Sequence, residues 1–164
     1  MKNKLREAQL EDLPGILEIY NDVVATTTAI YDEFPRNIEQ QTQWYHAKKE
    51  GCWPIIICEQ EAHVVGFASY GSFRAWPGYR HTVELSLHVA KAWRGQGVGS
   101  RLLEALIAKA KEQEFHTIIA GIDSENKASI LLHKKFDFQI SGELKQVARK
   151  FDRWLDLTFM QRLI

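Results

Sequence analysis

Apolar and polar positions change their period several times along the chain, and each change marks an element. Val83, Leu85, Leu87 and Val89 alternate with Glu84, Ser86 and His88, the period of two expected of a half-buried strand. From Leu102 the apolar residues Leu102, Leu103, Leu106 and Ile107 recur at helical spacing, which predicts a helix over 97–113. Leu13, Ile16, Leu17, Tyr20, Val23 and Val24 keep the same spacing after Glu11-Asp12-Leu13-Pro14, whose acidic residues and proline are helix-start chemistry. A second helix is expected from Ile38 to Lys49, opened by Asn37 as its N-cap. Leu5 to Ala8, Pro54 to Glu59 and His63 to Ser69 read as strands, the last two joined by the polar turn Gln60-Glu61-Ala62. A loop from Gly71 to Arg80 leads into the strand that holds Glu84. A strand over 116–122, a helix over 125–135 and two strands near 137–147 and 152–162 finish the chain. Helices interleaved with hairpins predict an α/β fold (α+β mixed sheet) with helices on both faces. With no internal repeat, low-complexity tract or linker-like run, one domain is expected over 1–164.

Between the Glu84 strand and the helix that follows lies Arg94-Gly95-Gln96-Gly97-Val98-Gly99, then Ser100. Glycines lack a Cβ, so consecutive backbone N–H groups converge on one point, and a helix N-terminus adds partial positive charge there. That geometry binds phosphate and predicts a phosphorylated cofactor. A P-loop needs GxxxxGK[ST], and Ser100-Arg101 after Gly99 breaks it. A dinucleotide fingerprint needs GxGxxG with an acidic residue about 20 positions on. Here the spacing is Gly95-x-Gly97-x-Gly99, with Ser100 at the third glycine's place, and the loop lies mid-chain behind a predicted hairpin.

Bulk properties narrow the partners. Lys+Arg 21 against Asp+Glu 21 in 164 residues leaves no net charge, which argues against nucleic acid or a membrane surface held by bulk electrostatics. MKNKLREAQLEDL lacks the apolar run of a signal peptide, and no stretch approaches a membrane span, so a cytoplasmic protein is expected. Cys52 and Cys58 form no CxxC pair and read as two reduced thiols. His46, His63, His81, His88 and His116 show no HExxH spacing, and no metal site is implied.

Arg94-x-x-Gly97-x-Gly99 also matches the Q/R-x-x-G-x-G/A loop of the GNAT superfamily of N-acetyltransferases. With it occur Asp12-Leu13-Pro14, Ile19-Tyr20-Asn21-Asp22, Phe73-Arg74 to Pro77-Gly78-Tyr79-Arg80 and Thr82-Val83-Glu84. Further on come Ala120-Gly121-Ile122-Asp123, Asn126, Ala128-Ser129-Ile130, Lys150-Phe151, Arg153-Trp154-Leu155-Asp156 and Phe159-Met160-Gln161. Across nearly its whole length the chain is similar to the phosphinothricin / methionine-sulfoximine acetyltransferase branch of that superfamily. The resemblance implies acetyl-CoA (coenzyme A) as cofactor, a free α-amino group of a small amino acid as acceptor, and a homodimer with contacts near Trp154 to Ile164. It also implies a twisted mixed sheet of about seven strands flanked by about four helices. That sheet is splayed between the Glu84 strand, which carries a bulge, and the strand over 116–122.

The same resemblance assigns roles. Leu87, His88 and Val89 hold pantetheine, with an N–H near Val89 polarising the thioester carbonyl, while Arg94, Gly95, Gln96, Gly97, Val98, Gly99, Ser100 and Asn126 complete the cofactor site. Glu84 is expected to be the general base; read without the resemblance, it is equally a carboxylate paired with Arg80 or Arg94. His133, seven residues after Asn126, is expected to give a proton to the departing thiolate or to hydrogen-bond the sulfur. Arg74, Ala75, Trp76, Tyr79, Arg80, Glu84, Leu85 and Ser86 are the expected acceptor-binding residues, with Arg74 suited to a carboxylate. Trp76 stands where some phosphinothricin-acetylating relatives carry a second arginine, which favours a less acidic side chain such as a methionine sulfone or sulfoximine. Asp137 replaces the usual glycine after the last helix and is expected to take the left-handed conformation there.

Overall fold

A computed structural model describes residues 4–164; the first three residues of the stretch scanned for a signal peptide lie outside the described residues. In chain order the elements are β1 (Lys4–Glu7), α1 (Leu13–Thr26), α2 (Ile38–Glu50), β2 (Ile55–Gln60), β3 (His63–Ser72) and β4 (Thr82–Val89). They continue with α3 (Val98–Glu112), β5 (Thr117–Asp123), α4 (Lys127–Lys135), β6 (Gln139–Lys150) and β7 (Arg153–Leu163). The strands form one seven-stranded sheet in the order β1-β2-β3-β4-β5-β7-β6. Every neighbouring pair is antiparallel except β4 with β5.

Two apolar cores sit on the two faces of this sheet. In β2, Ile55 and Ile57 point into the core built with Ile16, Ile19, Val23 and Val24 of α1, while Ile56 and Cys58 point into the core built with Leu102, Leu103 and Leu106 of α3. A strand covered on both faces reads as a continuous apolar run, which is why Ile55-Ile56-Ile57-Cys58 shows no alternation. The apolar stripe of α3 is closely seated because β3 carries Gly66 beneath it. A Cβ there would lie 3.0 Å from Leu102 Cδ1 and 3.1 Å from Val98 Cγ1.

Local chemistry explains several boundaries. Asn37 accepts from Gln40 N at 2.9 Å, and Gln40 Oε1 accepts from Asn37 N at 2.9 Å, a reciprocal cap that starts α2 where the sequence placed it. Asp137 ends α4 with φ 62°, the left-handed conformation expected of it. Glu61 and Ala62 turn β2 into β3 at φ 50° and 63°, without a glycine. One expectation fails: β4 carries no bulge against β3. The pairs run without a break from Gly66↔Val89 to Ser72↔Val83, and the irregularities fall in β2 and β6 instead. β4 keeps its register because Val83, Leu85, Leu87 and Val89 all face the α3 core while Glu84, Ser86 and His88 face the other side, and a one-residue insertion would exchange the two sets.

Gly66→Ala is expected to destabilise the fold by about 1–3 kcal/mol through overpacking against Val98 and Leu102. Urea unfolding measures this, and an unchanged midpoint would show that α3 can lift from β3 freely.

Candidate active site

The site begins where two strands part. β4 and β5 pair only over Thr82–Leu85 and Thr117–Ala120. Beyond that, Ser86–Val89 remains paired with β3, and Gly121–Asp123 with β7, but the two inner edges no longer meet. A cavity of about 420 Å³ fills the fork. Leu85 to His88 line one side, Ala120 to Asp123 the other, and Asn126, Ser129 and His133 of α4 face it. Ala29 and Ile30, from the segment between α1 and α2, add a wall. That segment is tied down: Lys150 Nζ, on a residue only 2% exposed, donates to Ile30 O at 2.7 Å, and Tyr31 Oη donates to Asp123 Oδ2 at 3.1 Å.

Glu84 stands in the paired stretch just before the fork, opposite Gly71 in β3 and Ile119 in β5. Gly121 follows two residues after Ile119 on the same face, and a Cβ there would lie 3.2 Å from Glu84 Oε1. The missing side chain is therefore what admits the carboxylate. Burial raises the Glu84 pKa above the ordinary carboxylate value, and the positive charge of Arg74 partly opposes the rise. The candidate ion-pair partners are engaged elsewhere: Arg94 Nε donates to Val89 O at 3.0 Å and Arg80 Nη1 to Pro77 O at 3.3 Å. Among the described residues Glu84 forms no salt bridge.

His133 is 3% exposed. Its Nδ1 donates to Ser129 O at 2.8 Å, which leaves Nε2 as the unprotonated nitrogen. Nε2 is buried without a protein hydrogen-bond partner, and burial lowers the pKa below the usual imidazole value. The neutral ring thus offers a lone pair, so donation of a proton from Nε2 first requires a protonation that burial opposes. His88, also at the cavity, has its pKa pushed down to about 4 by burial, with Arg94 and Arg36 adding repulsion, and is neutral at physiological pH. Lys48 reaches the cavity from the last turn of α2, where its Nζ donates to Tyr70 O at 2.8 Å; burial pushes its pKa down to about 8.

At the open end of the fork the chain turns through Gly95 and Gly97, with φ 73° and 82°, into α3. Such φ values favour glycine. Gly97 is the N-cap of α3 and has no side chain to cap it, so the N–H groups of Val98, Gly99 and Ser100 have no intrahelical acceptor. The loop abuts the end of β4: a Cβ at Gly99 would meet Leu87 Cδ2 at 3.7 Å and Val89 Cγ2 at 3.8 Å. Gln96 Nε2 is turned back to Ala92 O at 2.8 Å. Asn126 caps α4, accepting from Ser129 N at 3.1 Å. Unpaired strand edges leading to an uncapped helix N-terminus fit a molecule with an extended amide-bearing arm and a phosphorylated end.

The expected acceptor-binding residues divide. Glu84, Leu85 and Ser86 line the cavity, whereas Arg74, Ala75, Trp76, Tyr79 and Arg80 lie in the exposed 73–81 loop outside its lining. Arg74 stacks on Phe73, 4.2 Å from the ring centroid, and Phe73 packs edge-on against Phe159, whose ring borders Gly121. The loop is thus anchored beside the Glu84 end of the cavity, with Trp76 71% exposed. Sequence reasoning missed Ala29, Ile30, Lys48, Gly71, Ser72 and Ser129 as cavity residues. Only the β3–β4 register reveals Gly71, and nothing local sets Lys48 apart from a helix-terminal lysine that favours the macrodipole.

Comparison with known proteins agrees with this geometry. A model of the acetyltransferase (GNAT) family matches residues 16–138. The L-methionine sulfoximine/L-methionine sulfone acetyltransferase of Pseudomonas paraeruginosa is 48% identical over 98% of this chain and 94% of its own. A ribosomal-protein-alanine N-acetyltransferase from Brucella melitensis superposes with a TM-score of 0.97 at 46% identity, covering 98% of this chain and 99% of its own. A phosphinothricin acetyltransferase from Sinorhizobium meliloti, solved in complex with acetyl-CoA, superposes with a TM-score of 0.96 at 33% identity, over 100% of this chain and 89% of its own.

The raised Glu84 pKa carries a sign that unfolding measurements read. An unfolded chain ionises Glu84 at the ordinary value, near 4.5, while the native state holds the proton to higher pH. Native stability therefore falls as pH rises through the interval between the two values, and levels off above it. Glu84→Gln removes this loss. The variant's stability relative to wild type is expected to increase from pH well below 4.5 to neutrality, as followed by urea unfolding. A difference independent of pH would show an unperturbed carboxylate.

Proposed function

The chain belongs to the acetyltransferase (GNAT) family, and from that premise we propose that it transfers acetyl from acetyl-CoA to the α-amino group of a small amino acid with an oxygenated side chain. Methionine sulfone and methionine sulfoximine are the leading acceptors, and phosphinothricin follows. The observation that carries this reading is the fork between β4 and β5, with the Glu84 carboxylate placed just before it and an uncapped glycine-led helix N-terminus at its mouth.

Bound in the fork, acetyl-CoA supplies the acetyl thioester. The N–H groups of residues 97–100 hold its pyrophosphate, with Gly95 and Gln96 shaping the loop and Arg94 adding charge. The free edge of Leu87, His88 and Val89 pairs with the pantetheine amides as a further strand would, and an N–H near Val89 polarises the carbonyl. An acceptor ammonium must lose two protons as the N–C bond forms and the C–S bond breaks. Glu84 takes one, directly or through a water, and the other leaves with the thiol. A carboxylate held above its ordinary pKa is a stronger base once ionised. Through the lone pair on Nε2, His133 accepts a hydrogen bond from the acceptor amine or a water, which orients it. Arg74, beside Glu84, receives the acceptor's α-carboxylate. A homodimer belongs to the same reading, supported by Ile140, Leu144, Val147, Phe151 and Trp154, all exposed on or beside β6 and β7.

Thiol release from acetyl-CoA tests the acceptor. The panel holds methionine sulfone, methionine sulfoximine, phosphinothricin, ordinary amino acids, polyamines and a peptide beginning with alanine. Saturable turnover is expected on the first three, with Glu84→Gln lowering kcat by about 10²–10⁴-fold while acetyl-CoA affinity is retained. Turnover on the peptide alone would move the acceptor to a protein N-terminus. Acetyl-CoA binding without turnover on any member would leave a non-catalytic acyl-CoA-binding module. For the assembly, sedimentation should give a dimer that Trp154→Glu weakens, and a monomer at micromolar concentration would remove that part of the reading.

A further inference from the structure

Lys48 lines the cavity, yet no step described so far uses it. Its ammonium lies over Gly71, where a Cβ would come within 3.2 Å of Nζ. Gly71 is the cross-strand partner of Glu84, so the ammonium, reaching down from α2, lies over the sheet position adjoining the one that bears the carboxylate. Glu84 leans the other way, over Gly121 of β5, with Oε1 3.2 Å from the place of the missing Cβ. The row Gly71–Glu84–Gly121 therefore floors the cavity with two bare positions, one admitting a cation and the other a carboxylate. The two groups form no salt bridge with each other. Lys48 Nζ spends one N–H on Tyr70 O at 2.8 Å, which leaves two more to donate. It is the sole lysine or arginine among the cavity-lining residues.

We infer that Lys48 is a specificity-determining residue that donates hydrogen bonds to the oxygen atoms at the end of the acceptor's side chain. The chemistry it selects is a sulfonyl, sulfoximine or phosphinyl oxygen, the group that methionine sulfone, methionine sulfoximine and phosphinothricin share and methionine lacks. The α-carboxylate is a poor rival for this site. It is bonded to the carbon that bears the amine, so it stays with the amine at Glu84, where the Arg74 charge acts. Only the side chain extends far enough to cross the floor to Gly71 and Lys48. Strongly polarised oxygens gain from a cation already stripped of part of its water, because the interaction is stronger at low local dielectric. An apolar side-chain end would instead leave two ammonium N–H groups facing nothing. The inference rests on the amino-acid acceptor reading and deepens it.

The test compares kcat/KM for methionine sulfone with that for methionine, or the calorimetric Kd for an acceptor too slow to turn over. Lys48→Met and Lys48→Gln are the variants; glutamine can still donate to Tyr70 O, so it guards against a loss of folding in the methionine variant. In both, the sulfone-over-methionine ratio is expected to fall by about 10- to 100-fold, mostly through KM, with acetyl-CoA affinity unchanged. Equal losses for both acceptors would overturn the inference and leave Lys48 a support for α2. A loss that vanishes when the α-carboxylate is amidated would also overturn it, by assigning Lys48 to the carboxylate. Wild-type enzyme that turns over no oxygenated methionine analogue would remove the acceptor reading itself, and the inference with it.

Discussion

Everything in this molecule is organised around one unfinished pairing. A parallel pair of strands satisfies its backbone groups only where it stays in register, and β4 and β5 do so for four residues and then part. The outer edges of both strands remain fully paired, to β3 and to β7, so the sheet does not fray at this point. What is left is a slot with backbone donors and acceptors on its inner walls, held open by rigid strands. A buried edge without partners is costly, and the cost is met when an extended ligand completes the ladder. Core packing keeps the slot from closing: α3 is clamped on β3 through Gly66, and α4 sends Ile130 into the core that holds Ile118 and Ile122 of β5.

The chemistry of the slot depends as much on missing side chains as on present ones. Gly121 lets a carboxylate lie over β5, Gly71 lets an ammonium lie over β3, and Gly97 lets a helix begin without a cap. In each case the group at the cavity or its mouth is seated by a residue that has no Cβ. The wall at Ala29 and Ile30 depends on ties from distant parts of the chain, Lys150 in β6 and Asp123 in β5. Ile30 packs against the α1 core, and these polar bonds add ties from the segment to distant strands.

What the sequence made legible follows from the range of the forces involved. Caps, turns and stripes are local: Asn37 at the start of α2, Asp137 at the end of α4 and the alternation from Val83 to Val89 could all be read in order along the chain. The glycine loop was legible for the same reason, since its function is in its own backbone. Lys48 and Gly71 were not, because their meaning depends on which strand lies opposite Glu84 and on where a helix 36 residues earlier delivers its last turn. The unbroken β4 register likewise follows from its pairing with β3 and from packing against α3, which no single stretch of sequence displays. Arg74, Ala75, Trp76, Tyr79 and Arg80 were expected to bind the acceptor; their loop packs through Phe73 on Phe159, outside the lining of the cavity, and the Arg74 charge still acts on Glu84.

Burial moves the titrating groups of the cavity toward their neutral forms, and this has a consequence for catalysis. Glu84 holds its proton more tightly, Lys48 holds its proton less tightly, and His133 is kept uncharged. An acceptor ammonium entering the same space meets the same loss of water and also surrenders its proton more readily. With Glu84 in its proposed role as base, the desolvation that strengthens the carboxylate as a base also makes the amine a better acid, so that the gap the proton must cross narrows from both sides. Against the effect of burial on Glu84 stands the positive charge of Arg74, which opposes part of the rise from its place in the exposed loop.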